Sequence, residues 1–547
     1  MNYLEVVLNT HPSVHWQEDG HSKIRGWFFD SEGFHEKAGA LQKFGIFQSE
    51  DGFCNRIKTL NGNFSVIQES KDFVFAAVDR IASFSLFYSY HDSKVFVSDS
   101  VALLCEHCNF DKIDSVSLSE FRASGYVLGN RTLYQGVYKL EAGQYLVYDK
   151  KTDAIEIKDY HLHLHHLENQ ISTKTEAELC EELGYVVDDV FERLVSSING
   201  KTIALFLSGG YDSRLVAINL RKQNYENVVC ITFGKKTDPD VIVAEQVAAT
   251  CGYKWISIAE NGECYWRKKR KTGKLRNRLV RAKSDIGHMY KTGLFLEELI
   301  EDGTLPKDCV AITGGGGDIL EGHLLSLKFA DGKKYSELDV MNAIRNTHFY
   351  NAGYKKHNSD SFHNELKQYL LGKTEFTAQE AECIFDFFGW RVRHSQREVQ
   401  DVRNYDNYLG NEWRLPLCDN ALADFWLKVP LHMRVNRQLY YAWLNSIGEK
   451  LPSANHVNSL WQRFRIGFKQ SFQSVSRLLY PIKITCGYFF KFSSLHSFIA
   501  TLTFREFIAV LVRTRGYRMN ALSAMIYLRL KYSYDLNEKA NKNKTEI

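Results

Sequence analysis

The chain has 547 residues, more than one hydrophobic core accommodates, so two or three domains are expected. Hydrophobic residues make up 44% and charged residues 24%, which excludes a disordered or membrane-embedded class and fits a soluble globular one. The net charge of +4 is mild but uneven: residues 461–547 carry 15 Lys+Arg against 4 Asp+Glu, and the first 460 carry 54 against 61.

Eleven scattered cysteines read as thiols of a reducing compartment. The close pair Cys105 and Cys108 has no second pair beside it and reads as buried thiols rather than a zinc site. No basic segment followed by an apolar one opens the chain, and no run reaches the roughly 18 apolar residues of a membrane span. A cytoplasmic location is the expectation.

Residues 1 to about 160 read as β-rich. "GNFSVIQE", "DFVFAAVD", "SLFYSYH" and "KVFVSD" are short Val, Phe, Tyr and Ile runs between polar turns, the pattern of an antiparallel layer. "DKIDSVSLSEFRASGYV" reads as a helix and "GQYLVYDKKTDAIEIKDY" as a hairpin. In "HLHLHH", His161, His163 and His165 share one face if extended; a structural role at a domain junction is favoured over metal binding.

The periodicity changes near residue 174. "KTEAELCEELGYVVDDVFERLVSSING" has helical spacing and stops on Gly200. Strand 203–207, helix from about 213, strand 228–233, helix 239–250, strand 254–258 and strand 309–313 then predict a parallel sheet wrapped by helices. Residues 335–450 read as mostly helical.

Two strand-end loops carry the chemistry. "SGGYDS" follows strand 203–207, where ligands of parallel sheets bind. Gly209 and Gly210 admit close backbone approach, the helix start adds unpaired amides, and Ser208 and Ser213 add hydroxyls, a set suited to phosphate. Asp212 would repel a bare phosphate, which suggests a bridging Mg²⁺. A Walker loop is excluded because no lysine is present, and a nucleophile elbow because Phe206 stands where glycine is required. "VAITGGGGDILEG" places Gly314, Gly315, Gly316 and Gly317 after another strand, followed by Asp318. Four glycines in a row are costly to order, by about 1 kcal/mol each relative to alanine, and make sense where backbone must approach a ligand. Mg²⁺-pyrophosphate held between Asp212 and Asp318 fits both loops.

These residues resemble the asparagine synthetase family. "SGGYDS" looks like its pyrophosphate loop and "TGGGGD" like its second glycine loop; "ITFGKKTDPDVIVAEQVAATCGYKWISI" is similar to its adenine-pocket segment. Glu412, Arg414, Pro416 and Asp419 match its Glu-x-Arg-x-Pro-x-x-Asp segment, residues 60–104 resemble the latter part of a glutaminase domain, and residues 125–146 resemble its end. The resemblance implies an N-terminal α+β antiparallel sandwich (1–170), a parallel-sheet α/β ATP-pyrophosphatase domain (171–450) and a basic helical extension (451–547). It implies an ATP site formed by Leu207, Ser208, Gly209, Gly210, Asp212, Ser213 and Phe233 with Gly314 to Gly317, and Mg²⁺ on Asp212 and Asp318.

Three departures qualify it. Residue 2 is Asn2 where a class II glutaminase has its cysteine, and the glutamine-binding stretches expected before residue 55 are missing, so glutamine hydrolysis is not expected. Gly315 stands where the family often has Glu or Tyr. Arg437 replaces an expected lysine, keeping positive charge without being a proton donor at neutral pH.

The expected activity is ATP-dependent amide formation between a small-molecule or peptide carboxylate and an amine or ammonia, with Glu412 as general base and Arg437 facing the leaving pyrophosphate. An ion pair with Arg414 is the bland alternative for Glu412. Asparagine synthesis from free ammonia and a non-catalytic ATP-binding scaffold are the alternative functions. The basic run 266–283 reads as a solvated face rather than a nucleic-acid contact. Peripheral membrane contact of the tail and homo-oligomerisation are left open.

Overall fold

The computed structural model describes residues 3–10, 14–92, 94–164, 171–258, 291–317, 322, 329, 333–349, 364–400, 402–403 and 409–446. The basic run 266–283, Asn2, His165, Asp318 and the extension 451–547 lie outside the described residues.

The N-terminal third folds as β1 (Tyr3–Val7), β2 (Gln17–Glu18), β3 (Ser22–Asp30), β4 (Gly33–Glu36), β5 (Asn61–Glu69), β6 (Phe73–Val78), β7 (Phe87–His91), β8 (Lys94–Ser98), β9 (Val137–Lys139), β10 (Gln144–Asp149) and β11 (Ala154–Asp159). One sheet has the order β1-β8-β7-β9. The other runs β11-β10-β6-β5-β3-β2, with β4 beside β3. Period-two alternation sends each central strand's side chains into two cores. Ile67, Val74, Ala76, Val78 and Leu146 meet Leu86, Val95 and Val97 of the facing sheet. Phe64, Val66, Phe75, Ala77 and Tyr145 meet Phe44, Phe53 and Ile57 of helices Lys37–Phe44 and Glu50–Thr59. The expected sandwich is present, and the 143–160 segment is the expected hairpin, with Gln144 opposite Asp159. One pairing departs from the antiparallel pattern: β1 runs parallel to β8.

In the second unit, β12 (Ile203–Phe206), β13 (Val228–Phe233), β14 (Lys254–Ile258) and β15 (Val310–Thr313) lie parallel, in the order β14-β13-β12-β15. A small antiparallel pair, β16 (Lys334–Ser336) with β17 (Glu375–Thr377), lies within the region that reads as mostly helical. Then β18 (Trp413–Arg414) joins the sheet parallel to β15. Helix Glu176–Ile198 starts on a reciprocal capping box of Thr175 and Glu178, a motif that typically contributes about 1 kcal/mol. It stops where Asn199 adopts a left-handed conformation, φ 52°. Its apolar stripe, including Leu183, Val187, Val190 and Leu194, buries against the sheet's core. Helices Tyr211–Lys222 and Pro239–Cys251 follow their strands as expected; the first begins two residues before the predicted Ser213. Helix Ala378–Phe388 continues as a π-helix over Gly389–Glu398.

The two units share cores. Phe121, Leu128 and Leu133 pack with Ile344, Phe376 and Phe385. Arg391 pairs with Glu141 at 3.3 Å and Asp159 at 2.7 Å, and Arg80 with Asp424 at 2.7 Å. Among the described residues no helix is long and apolar enough to cross a membrane.

Candidate active site

All five strands of the parallel sheet run the same way, so Phe206, Phe233, Ile258 and Thr313 end on one edge. Both glycine-rich loops leave from that edge, and the structure brings them into contact. A Cβ added to Gly314 would sit 2.6 Å from Ser213 N, and one on Gly317 would sit 2.7 Å from Asp212 Cγ. Side chains at these positions would push the loops apart, so glycine here is a packing requirement. Gly209 is packed equally closely: its Cβ would lie 2.6 Å from Asp240 Oδ1, at the start of the next helix.

Leu207 is buried at the strand end, while Ser208 and Gly210 are exposed. The hydroxyls organise the loop. Ser208 N donates to Ser213 Oγ at 3.0 Å, Ser213 Oγ donates to Ser208 O at 3.3 Å, and Gly210 N donates to Ser208 Oγ at 3.2 Å. Helix Tyr211–Lys222 therefore begins at Gly210 with no side-chain cap over its first turn, and its dipole favours an anion there. Asp212, half-buried, lies in that turn against Gly317.

At the neighbouring strand end Phe233 stacks on Phe206, centroids 5.9 Å apart, and tilts against Phe295 at 4.8 Å. Phe206 and Phe233 are half-buried and Phe295 is buried, and the three rings form an apolar wall beside the loops. On the other flank Tyr211 lies under the Arg214 guanidinium at 4.3 Å and edge-on to Tyr441 at 5.4 Å. Arg437 is buried and sits just before helix Gln438–Ser446, which carries Tyr441 to the first loop.

Glu412, expected as general base, is not brought to the loops. Its carbonyl accepts from Ala311 N at 2.9 Å, so it lies level with the start of β15, at the sheet edge opposite the loops. The carboxylate is held by Lys201 at 2.7 Å, Lys37 at 3.4 Å and Arg414 at 3.4 Å. Burial pushes this carboxyl up, but Arg414, Lys201 and Lys37 outweigh it and hold Glu412 below its ordinary range. A carboxylate so placed and so paired is a poor proton acceptor. Beside it Arg414, 2% exposed, is fixed by Ser197 Oγ at 3.1 Å and lies over Trp27 at 4.7 Å.

Several groups at the loops were not singled out from sequence. Thr313 Oγ1 accepts from Gly315 N at 3.1 Å, a local turn that Thr immediately before the glycines signals. Asp240 abuts Gly209. His394 and Cys418 lie under the second loop, brought there from distant positions.

Among the described residues, His161, His163 and the cysteine pair lie in packed surroundings. His163 is buried and stacks on Trp390 at 4.3 Å, and burial, then Arg80 and Arg391, push His161 down to about 3. Cys105 and Cys108 lie within an apolar cluster.

The residues present fit ATP with Mg²⁺: a glycine cradle that excludes Cβ atoms, an uncapped helix start, a half-buried carboxylate and an aromatic wall on one edge.

A family model described as asparagine synthase matches residues 187–454, and one described as a glutamine amidotransferase domain matches residues 49–161. Among solved structures, the NH3-dependent NAD synthetase from Campylobacter jejuni subsp. jejuni NCTC 11168 in complex with the nitrate ion is 16% identical, over 28% of this chain and 62% of that one, with a TM-score of 0.19. Glutamine phosphoribosylpyrophosphate amidotransferase from B. subtilis, complexed with ADP and GMP, is 9% identical over 56% and 64%, TM-score 0.19. A chain described as the allosteric regulatory enzyme of purine biosynthesis is 9% identical over 44% and 62%, TM-score 0.19. The chain thus spans less than two thirds of each of these structures, and at such scores the likeness carries no argument about function. Comparison with the curated proteins gives no match. The two family matches cover most of the described chain in the order sandwich, then parallel sheet, and the chain belongs to the asparagine synthetase family.

Proposed function

We propose that the protein is an ATP-dependent amide ligase. In this reading a substrate carboxylate attacks the α-phosphorus of ATP, pyrophosphate leaves, and an amine or ammonia displaces AMP from the acyl-adenylate. The observation that carries it is the interlock of Gly314 and Gly317 with Asp212 and Ser213 at the carboxyl edge of the sheet. Backbone amides of both loops and the first turn of helix Tyr211–Lys222 stabilise charge that builds on the departing pyrophosphate. Mg²⁺, held by Asp212 together with the Asp318 that follows the second loop in sequence, would offset the same charge. The Phe206–Phe233 wall receives the adenine, and Arg437 supplies fixed positive charge.

Glu412 has no part in the acceptor chemistry. The nitrogen donor is an amine or ammonia rather than glutamine, because the glutamine-binding stretches of the family are missing before residue 55.

Exchange of radiolabelled pyrophosphate into ATP tests the reading, with Mg²⁺ and a panel of aspartate, sugar acids and carboxyl-bearing peptides. Exchange that requires one acid, and is lost in Asp212→Asn and Asp318→Asn, is the expected result. A folded protein that neither exchanges nor binds Mg²⁺-ATP would overturn it.

A further inference from the structure

Beneath the second glycine loop lies a thiol–imidazole pair that the ligase reading does not use. Cys418 ends the short turn Pro416–Cys418, and His394 projects from the π-helix Gly389–Glu398, a rare backbone form that often marks functional sites. Both residues are buried. Cys418 Sγ–H donates to the Gly315 carbonyl at 3.5 Å, and the sulfur lies 3.2 Å from His394 Nε2. With the thiol proton directed at Gly315, the sulfur can accept from Nε2–H in the tautomer that carries its proton there. Trp390 stacks on the His394 ring at 5.0 Å and backs it on one face.

Gly316 lies directly over this sulfur. Its φ is +101°, and a Cβ there would come within 2.3 Å of Sγ. In a trans peptide the carbonyl oxygen and the following N–H point to opposite sides. Pinning Gly315 O toward the thiol therefore turns Gly316 N–H away from it.

We propose that the His394–Cys418 pair is a latch on the Gly315–Gly316 peptide, holding its amide outward as a pyrophosphate donor. Cys418 and His394 are then positioning residues that act through Gly316. The inference rests on the pyrophosphate reading of the loops. Glycine on both sides of the peptide offers little resistance to rotation. Once released, the peptide is free to present its carbonyl oxygen to the phosphate oxygens instead, which repels them.

The test is calorimetric titration of Mg²⁺-pyrophosphate into the full chain and into Cys418→Val, Cys418→Ser and Asp212→Asn, with urea unfolding of each ligand-free protein. Valine keeps bulk and removes the donor; serine keeps the donor and introduces a more polar group. Because thiol hydrogen bonds are weak, Cys418→Val is expected to weaken binding by about three- to tenfold while leaving unfolding nearly unchanged. Cys418→Ser is expected to bind within about twofold of wild type even where it lowers stability. A merely structural role would make affinity follow stability, with serine the weaker binder. That ranking, or a valine variant that binds like wild type while Asp212→Asn does not, would overturn the latch alone. No binding by the wild-type protein would overturn the pyrophosphate reading, and the latch with it.

Discussion

Replacing Gly314 by alanine isolates the contact between the loops. A methyl group there would stand 2.6 Å from Ser213 N and 2.8 Å from the Asp212 carbonyl carbon, both backbone atoms that no rotamer change can move. Ordinary contact begins near 3.5 Å, so the loop and the helix start must part by roughly 0.9 Å. Overpacking of this kind costs about 1–3 kcal/mol. If Mg²⁺-ATP requires the loops together, the same energy is needed to close them on binding, and affinity falls by roughly 5- to 150-fold. Gly315→Ala is the control: its methyl would meet only Thr313 Oγ1 at 3.2 Å and Leu415 Cδ2 at 3.4 Å, both side-chain ends. It should bind within about threefold of wild type. Equilibrium dialysis of Mg²⁺-ATP against the three proteins reads the difference. A Gly314→Ala protein that binds like wild type, or a Gly315→Ala protein that loses as much, would refute the argument that the loops' approach makes the site.

Two further outcomes follow from the ion pairs. Glu412→Gln should leave pyrophosphate exchange within about twofold of wild type but lower stability to urea by about 1–3 kcal/mol, since Arg414, 2% exposed, loses an anionic neighbour. Loss of exchange in a protein that unfolds normally would return Glu412 to the chemistry. Asp30 accepts from Arg56 at 2.8 Å and contacts His35 at 2.8 Å; burial raises its carboxyl, but these partners and the Glu32 amide outweigh it and bring it to about 2. Because the folded-state value is depressed, its stabilisation is present in full above about pH 4 and disappears as pH falls through about 2. The urea stability of wild type relative to Asp30→Asn should shrink over that window, and a constant gap would contradict the assignment.

Local patterns carried much of this fold. Strand, break and helix succeed one another within "IALFLSGGYDSRLVA", and the observed helix begins at Tyr211, close to the predicted start. Both glycine loops were legible for the same reason: each lies where a buried strand ends. What stayed hidden depended on contacts far apart in sequence. Glu412 sits in a motif that pointed to catalysis, yet its surroundings are set by Lys37 and Lys201, more than two hundred residues upstream. Nothing near Cys418 announces His394, 24 residues away, because a π-helix leaves no simple periodic trace. The segment before residue 55 gave no element either. Gly26 and Gly33 adopt positive φ there, and the 22–36 hairpin gains its stability by pairing with β5 rather than from its own alternation.

The shared cores have a consequence for how this chain can be divided. Tyr369 OH donates to Glu141 at 2.9 Å and accepts from Gly129 N at 2.7 Å, and Arg391 bridges Glu141 and Asp159, so buried polar groups of the later unit are satisfied by the earlier one. Cutting near residue 170 would strip Arg391 of both carboxylates, leave Tyr369 without either partner and bare Phe376 and Phe385 to water. Desolvated polar groups left without partners cost about 1–3 kcal/mol each, and the exposed rings add to that. The N-terminal sandwich is thereby a folding partner of the parallel-sheet unit, and a substitution at Glu141 or Asp159 would be felt as lost stability in a unit more than two hundred residues downstream.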